Sequence, residues 1–363
     1  MHVSAHISTI AAALCALGIV TSASATPWAV YEGGDGPGEG KHIVLVSGDE
    51  EYRSEEMMPQ LGKILAERHG FKCTVLFAID PETGHIDPNY QQNIPGLDAL
   101  ETADLMVIFT RFRALPGDQM QAIDDYLTAG KPVLGIRTAT HAFNFPADAP
   151  WAHYGNSYRG DKREWRDGFG RLVLGEKWVN HHGRHKHEST RGHIAPGAAD
   201  HPILQGIADG EIWGPSDVYG IRMRHLPAGF TPLVLGAVVQ RAGDFDKDDL
   251  FYGMRPTDTT PVAGKNDPMM PIVWTKPYQL PGGEEGTAIT STLGSSADFM
   301  NPAYRRLLVN AVYWLTGLGE AIPEDGATAD LVGDYEPTQF AFHDDDYWDE
   351  RALTVEEHRL PAE

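Results

Sequence analysis

Short unbroken apolar runs alternate along this chain with amphipathic stretches. His42-Ile43-Val44-Leu45-Val46-Ser47 and Leu105-Met106-Val107-Ile108-Phe109 are nearly continuous apolar segments, the pattern of strands covered on both faces of a parallel sheet. Phe71 to Ile79 and Val133 to Ile136 predict two more strands. Between them, residues 54–69 put Met57, Leu61, Ile64 and Leu65 on one side of a helix closed by Gly70, a residue type that ends helices in the left-handed conformation. A second helix starts near Pro116 and ends at Gly130, with Met120, Ile123 and Leu127 facing inward. This alternation predicts an α/β fold, a flavodoxin-like, doubly wound and mostly parallel sheet.

The rhythm breaks over residues 146–200, rich in Trp, Arg, His and Gly. A long irregular insertion of this kind in a compact domain is usually functional or disordered, and its aromatic content argues against disorder. Further strands are predicted at Ile212 to Met223, Leu233 to Gln240, Ile272 to Thr275 and Thr287 to Thr292. Asn301 as N-cap and Pro302 at the first helical position open a strong final helix through Leu307, Leu308, Ala311, Val312 and Leu315. The organisation expected is a leader at 1–25, a Gly/Pro-rich linker at 26–40, the α/β domain at 41–318 and an acidic arm at 319–363. Tyr335, Phe340, Phe342, Tyr347 and Trp348 are expected to pack that arm.

The leader changes the expected location. Ile7 to Val20 is almost wholly apolar, too short to span a membrane, and ends in Thr21-Ser22-Ala23-Ser24-Ala25, a signal-peptide cleavage pattern. A signal peptide cut after Ala25 implies a periplasmic or extracellular protein with no membrane span. The mature chain then keeps one cysteine, Cys73, in a strand, and no disulfide framework. Net charge is −22 over 363 residues, and the segment from Glu320 onward carries fourteen acidic residues against two basic ones. Nucleic acid is excluded as a partner, since binding it needs a basic face. Oligomeric state is not legible.

Candidate chemistry gathers where parallel strands end, the edge at which open α/β sheets bind ligands. After the first strand come Gly48-Asp49-Glu50-Glu51-Tyr52-Arg53, after the third Thr110-Arg111-Phe112-Arg113, and after the fourth Arg137-Thr138-Ala139-Thr140-His141. Asp49 and Glu50 either cap the following helix or work as acid and base, and Arg111 and Arg137 either pair with them or hold an anion. His141, at a helix N-terminus that disfavours imidazolium, is a base, a metal ligand or a hydrogen-bonded structural residue. Tyr52, Arg53, Arg113 and Thr138 complete the expected substrate-binding edge. Hydrolases and amidotransferases place Ser or Cys in a strand–turn–helix of this kind; here the position is Arg137, so acyl-enzyme chemistry is excluded.

A second cluster is Asn180-His181-His182-Gly183-Arg184-His185-Lys186-His187-Glu188. In an extended segment His185 and His187 share a side, and a bend at Gly183 brings His182 to them. These three could hold Zn²⁺ or another divalent ion, hydrogen-bond a sugar, or form a solvated loop. Trp213, Asp217 and Tyr219 offer an aromatic-plus-acid surface for sugar hydroxyls, though a core tyrosine is equally ordinary. No Gly-rich dinucleotide signature is present, so no nucleotide cofactor is expected.

Taken in order, the first strand with its polar loop, Gly135-Ile136-Arg137-Thr138-Ala139-Thr140-His141, His201-Pro202-Ile203, Asp217-Val218-Tyr219, Pro271-Ile272-Val273-Trp274, and Thr292-Leu293-Gly294 followed by Phe299, Asn310 and Trp314 resemble the ThuA-like (trehalose-utilisation) family of the class I glutamine-amidotransferase-like superfamily. The resemblance covers Lys41 to Leu318 and looks like an exported branch. Arg137 stands where ThuA-like proteins often have His. The resemblance implies sugar catabolism through 3-keto-glycosides. The function expected is an exported carbohydrate-active enzyme that cleaves an oxidised glycoside by acid/base, metal-assisted elimination or hydrolysis, with a small-molecule carbohydrate as partner. The alternatives are a non-catalytic carbohydrate-binding or sensing domain, and a metal-dependent hydrolase of another substrate.

Overall fold

A computed structural model describes residues 26–360; the expected signal peptide lies outside them. In chain order the main elements are β1 (Trp28–Tyr31), β2 (His42–Gly48), α1 (Ser54–His69), β3 (Lys72–Leu76), β4 (Leu105–Thr110), α2 (Gly117–Thr128), β5 (Val133–Ile136), α3 (Gly168–Leu172), β6 (Glu188–Ile194), β7 (Trp213–Gly214), β8 (Thr231–Gln240), β9 (Met270–Gln279), β10 (Glu285–Ser291), α4 (Pro302–Leu315) and α5 (Asp345–Arg351). One ten-stranded sheet has the order β1-β3-β2-β4-β5-β10-β9-β8-β6-β7. Its β3-β2-β4-β5-β10 block is parallel, the strand order of flavodoxin-like sheets. β9, β8, β6 and β7 extend it as an antiparallel flank.

Alternating side chains of the same strands feed two cores. Ile43, Leu45, Val107 and Leu134 pack with Met57 and Leu61 of α1 and Leu307 and Leu308 of α4. Val44, Val46, Met106 and Val133 pack with Met120, Ile123 and Leu127 of α2 and with Phe169. Period-2 alternation sends successive residues to opposite faces, so an unbroken apolar run is what two covered faces require. The helix ends follow local chemistry. Gly70 caps α1 at φ 78°, and the Asn301 side chain accepts from the Tyr304 amide at 2.8 Å to start α4.

Four expectations are corrected. The 26–40 linker contains β1, which pairs antiparallel with β3. The 146–200 insertion contains β6, hydrogen-bonded along its length to β8. The Ile212–Met223 strand is only β7, because the chain leaves the sheet at Pro215. The sheet, expected to be mostly parallel, is mixed, its antiparallel pairings outnumbering its parallel ones.

The acidic arm returns to the sheet and is stitched to it. Thr338 hydrogen-bonds Glu56, Tyr335 Oη donates to Ser296 O, and Phe340 and Trp348 are buried. Farther on, Ile86 N donates to Leu353 O at 2.8 Å and Tyr31 Oη to His358 O at 2.7 Å. No helix among the described residues is long and apolar enough to cross a membrane.

The His358 imidazole stacks on Phe77 at 5.2 Å. Burial, helped by Lys63, pushes its pKa down to about 4 from 6.5. As the folded pKa lies below the unfolded one, the unfolded chain binds more protons between these values, so stability is full above about pH 6.5 and is lost as pH falls towards 4. His358→Phe, which keeps the stacked ring, is expected to remove roughly 1–2 kcal/mol of the acid destabilisation after allowance for partial exposure. Urea unfolding at pH 7 and pH 4 checks this; equal losses in both proteins would discount the residue.

Candidate functional site

The loops after β2, β4 and β5 meet at one edge of the sheet. Each contains a non-glycine residue at positive φ: Arg53 (61°), Phe112 (50°) and Arg137 (47°). Such conformations cost about 1–3 kcal/mol each and collect at functional sites. Arg137 sits where β5 breaks into a 3₁₀ turn spanning Arg137–His141, and its side chain runs back under the sheet edge. Its Nη1 donates to Asp217 O and Thr292 O, both at 2.6 Å. Its Nη2 donates to Tyr52 Oη and Asp217 Oδ1, both at 3.0 Å. The guanidinium lies 3.7 Å from the Tyr219 ring centre and 4.5 Å from that of Tyr52.

Asp217 is therefore fixed before the histidines reach it. Residues 180–183 run antiparallel to 217–220: His182 N and Gly183 N both donate to Val218 O, Gly220 N donates to Asn180 O, and His181 bridges Tyr219. Gly183 permits the approach, since a Cβ there would lie 3.0 Å from Asp217 Cβ and 3.1 Å from Val218 N. Alternation then places His181 on the Asp217 side and His182 on the other. A turn through Arg184–His187, with Lys186 at φ 61°, returns His185 to the same side.

The outcome is a compact donor set. His181 Nδ1 lies 2.8 Å from Asp217 Oδ2 and His185 Nδ1 lies 3.1 Å from Asp217 Oδ1. One ligand atom from each of the three fits within 4.8 Å. The other nitrogen of His185, Nε2, is 3.2 Å from Glu51 Oε1. Two imidazoles and a carboxylate, with a second carboxylate behind one imidazole, match how divalent transition ions are held. Burial would raise the Asp217 pKa, but Arg137, His181 and His185 hold it well below the usual carboxylate range. Burial likewise opposes the His185 charge, and hydrogen bonds to Asp217 and Glu51 reverse that and raise its pKa.

The set opens into a small cleft, about 30 Å³, lined by Glu51, Arg111, Phe112, His141, Trp178, His181 and Tyr219. A wider hollow of about 510 Å³ on the α2 surface is lined by Asp98, Glu101, Asp118, Asp125, Tyr126 and Lys131 among others, and none of these residues belongs to the loops after β2, β4 and β5. His141 is packed by Phe112 at 4.9 Å and Trp178 at 5.4 Å between ring centres. Burial, then the charges of Arg111 and Arg137, push its pKa well below the usual histidine range. It is a neutral imidazole, with Nδ1 3.2 Å from Thr140 Oγ1.

Other expected residues have different work. Asp49 is fully buried and spent: its Oδ1 accepts from the Glu51 and Tyr52 amides and its Oδ2 from the Thr138 hydroxyl. Burial raises its pKa. Glu50 is clamped between Arg111 and Arg113, the latter at 2.6 Å. Arg113, fully buried, also donates to Pro88 O and Arg111 O. Arg53 donates to Glu50 O and Ala341 O beneath Trp348. These residues build the loops and do not face the cleft. Trp213 is a core residue donating to Ser189 Oγ. Two expected metal ligands are displaced: His182 Nε2 bonds Lys265 O at 2.7 Å, and His187 stacks on Phe245.

Sequence reasoning missed Glu51 and His181 as functional groups, and Trp178 and Phe112 as cleft walls. It also missed that the arm forms part of the site, where Phe340 stacks on Tyr52 at 5.3 Å and lies 5.6 Å from His185. Only the crowding of histidines at 181–187 and of acids at 49–51 signalled the first two.

No family model and no curated protein matches the chain. Among solved structures it is similar to a ThuA-like protein of Parabacteroides merdae ATCC 43184, at 13% identity over 84% of this chain and 97% of that one, with a TM-score of 0.39. A ThuA-like protein of Bacteroides uniformis ATCC 8492 gives 13% identity, 78% and 95% coverage and 0.39. A cytoplasmic protein of Salmonella typhimurium gives 13%, 75% and 98%, and 0.34. Likeness at this level assigns the chain neither an activity nor a substrate.

Proposed function

We propose that the chain is an exported enzyme that cleaves an oxidised (3-keto) glycoside by metal-assisted acid/base chemistry. The observation that carries this reading is the meeting, in one cleft, of Glu51, neutral His141, Arg111 and the His181–His185–Asp217 set. A base, two electrophilic donors and a divalent-ion donor set are what α-proton abstraction beside a ketone requires. The residue at the nucleophile position, Arg137, is buried and hydrogen-bonded to Asp217, Thr292 and Tyr52, which fits a site that makes no acyl intermediate.

The ketone acidifies the neighbouring C2–H. In this reading Glu51 takes that proton, and the electron pair moves towards the carbonyl oxygen. Arg111 and the N–H of neutral His141 steady the resulting enolate; a neutral imidazole kept so by its surroundings serves as a hydrogen-bond electrophile. Collapse of the enolate forms the C1=C2 double bond and breaks the C1–O bond, and the departing oxygen takes the proton from Glu51. One proton is removed and one returned, so elimination needs no co-substrate, and water adding across the new double bond completes hydrolysis. A divalent ion held by His181, His185 and Asp217 would supply Lewis acidity towards a substrate oxygen. Asp49, Glu50, Arg113 and Arg137 are positioning residues.

Two measurements test this reading. Elemental analysis of purified residues 26–363 should find about one equivalent of a divalent transition ion. It should be lost in His181→Ala and His185→Ala and kept in His182→Ala and His187→Ala; absence of metal from every protein, or its loss from the second pair alone, would sink the assigned ligand set. With a 3-keto-glucoside, Glu51→Gln should lower kcat by about 10²–10⁴-fold with KM changed little, the range for removing a general base. Full activity in that variant would remove Glu51 from the mechanism.

A further inference from the structure

The hollow beside α2 lies away from the cleft and has a pattern of its own. It runs between α2 and the 3₁₀ turn Leu97–Glu101, with a volume of about 510 Å³ and a floor of Leu100, Ala122 and Tyr126. Asp98, Glu101, Asp118 and Asp125 stand around that floor, all four exposed. The one cation in its lining, Lys131, is already engaged: Nζ donates to Leu100 O at 3.3 Å and to Glu101 O at 2.8 Å. The hollow is thus an apolar groove with an acidic rim. A surface of opposite charge sits on the other flank of the same helix. Tyr158 to Arg166 carries four basic residues against two acidic ones, in a chain whose net charge is −22. Lys162, Arg163 and Arg166 are exposed. Between them Trp165 is buried against Tyr154 and His153, at 4.4 and 4.7 Å between ring centres, so this loop is seated on the domain and not a loose tip.

Helical spacing fixes how the two surfaces are arranged. Asp118, Ala122, Asp125 and Ala129 recur at i, i+4, i+7 and i+11 and face the groove, whereas Gly117 and Asp124, seven apart, face the insertion. Tyr154 Oη donates to Asp124 Oδ1 at 2.6 Å, and Trp151 Nε1 lies 3.9 Å from where a Cβ on Gly117 would stand. Leu100, Tyr126, Tyr154 and Trp165 share one core, so groove and loop flank α2 on the same side of the sheet. A two-fold axis running along α2 carries the groove flank of one copy over the insertion flank of the other. We propose that the groove receives the 159–166 loop of a second copy of this chain, in a symmetric dimer centred on α2 where each contact is made twice. Such an interface needs a patch complementary to itself, and an acidic groove beside a basic loop is one. The aliphatic stems of arginines suit the apolar floor, while their guanidinium heads meet carboxylates at the rim. This interface is independent of the chemistry assigned to the cleft.

Sedimentation velocity of the purified protein over a concentration series reads the dimer directly, and the parent is expected to move from one chain to two. Asp118→Lys with Asp125→Lys reverses the groove, and Arg163→Glu with Arg166→Glu reverses the loop. All four positions are exposed, and circular dichroism checks that the variants fold. Each reversal alone should weaken the dimer about 10²-fold, since two exposed ion pairs are lost at each of two contacts. The groove reversal makes a chain of −22 less negative, so general repulsion alone would strengthen the dimer and gives the opposite sign. An equimolar mixture of the two reversed proteins should recover parent-like association, because reversed groove meets reversed loop at one contact and native surfaces meet at the other. A chain with all four substitutions should dimerise like the parent. A parent that sediments as one chain throughout overturns the proposal, including the case in which the groove takes a different basic protein. So do reversals that leave the dimer intact, and folded variants that do not recover on mixing.

Discussion

The buried pair Arg137–Asp217 holds the two halves of the site together. Arg137 comes from the end of β5 in the parallel block, and Asp217 from the chain that has just left β7 at the far side of the antiparallel flank. Neither side chain reaches solvent. Removing one partner from such a pair typically costs 3–5 kcal/mol, because the other charge is left uncompensated. Four hydrogen bonds and two aromatic faces around the guanidinium keep the pair from swinging. The carboxylate stays ionised, and its two oxygens are aimed at two histidines from a third segment.

Backbone strain at the same edge has a related effect. Arg53, Phe112 and Arg137 are all held in left-handed conformations, which side chains with a Cβ resist. Each is restrained by buried contacts: Arg53 by Glu50 O and Ala341 O, Phe112 by its amide on His141 O, Arg137 by Asp217 and Thr292. Loops wedged in this way have little freedom to rearrange. The cleft is shaped before any ligand arrives, which lowers the ordering cost of binding.

The sequence exposed the fold where burial writes itself into composition. Strands β2, β4 and β5 are apolar throughout because both faces are covered, and α1 and α4 carry capping residues of recognisable type. β1 and β6 escaped notice because β1 lies at a sheet edge and β6 reads Glu-Ser-Thr-Arg-Gly-His-Ile, a polar string whose pairing with β8 supplies the order. At the site, the right loops were legible and the right atoms less so. Three consecutive acids, Asp49, Glu50 and Glu51, are chemically alike; distant Thr138, Arg113 and His185 decide which is spent and which is available. Extended alternation grouped His185 with His187, whereas the turn at 184–187 breaks that alternation and pairing with Val218 sends His182 outward. The arm's part in the site depends on contacts between residues far apart in sequence, Phe340 with Tyr52 and His185, which no local pattern carries.

The arm also gives the site an order of assembly in time. Phe340 and Phe342 follow every strand of the described residues, so a ribosome has made all of β1 to β10 before either ring exists. Only when the chain has passed Phe342 can Tyr52 and His185 gain their apolar cover and Arg111 its second aromatic face. Without the arm, the sheet edge would lack the aromatic rings that lie against Tyr52, His185 and Arg111.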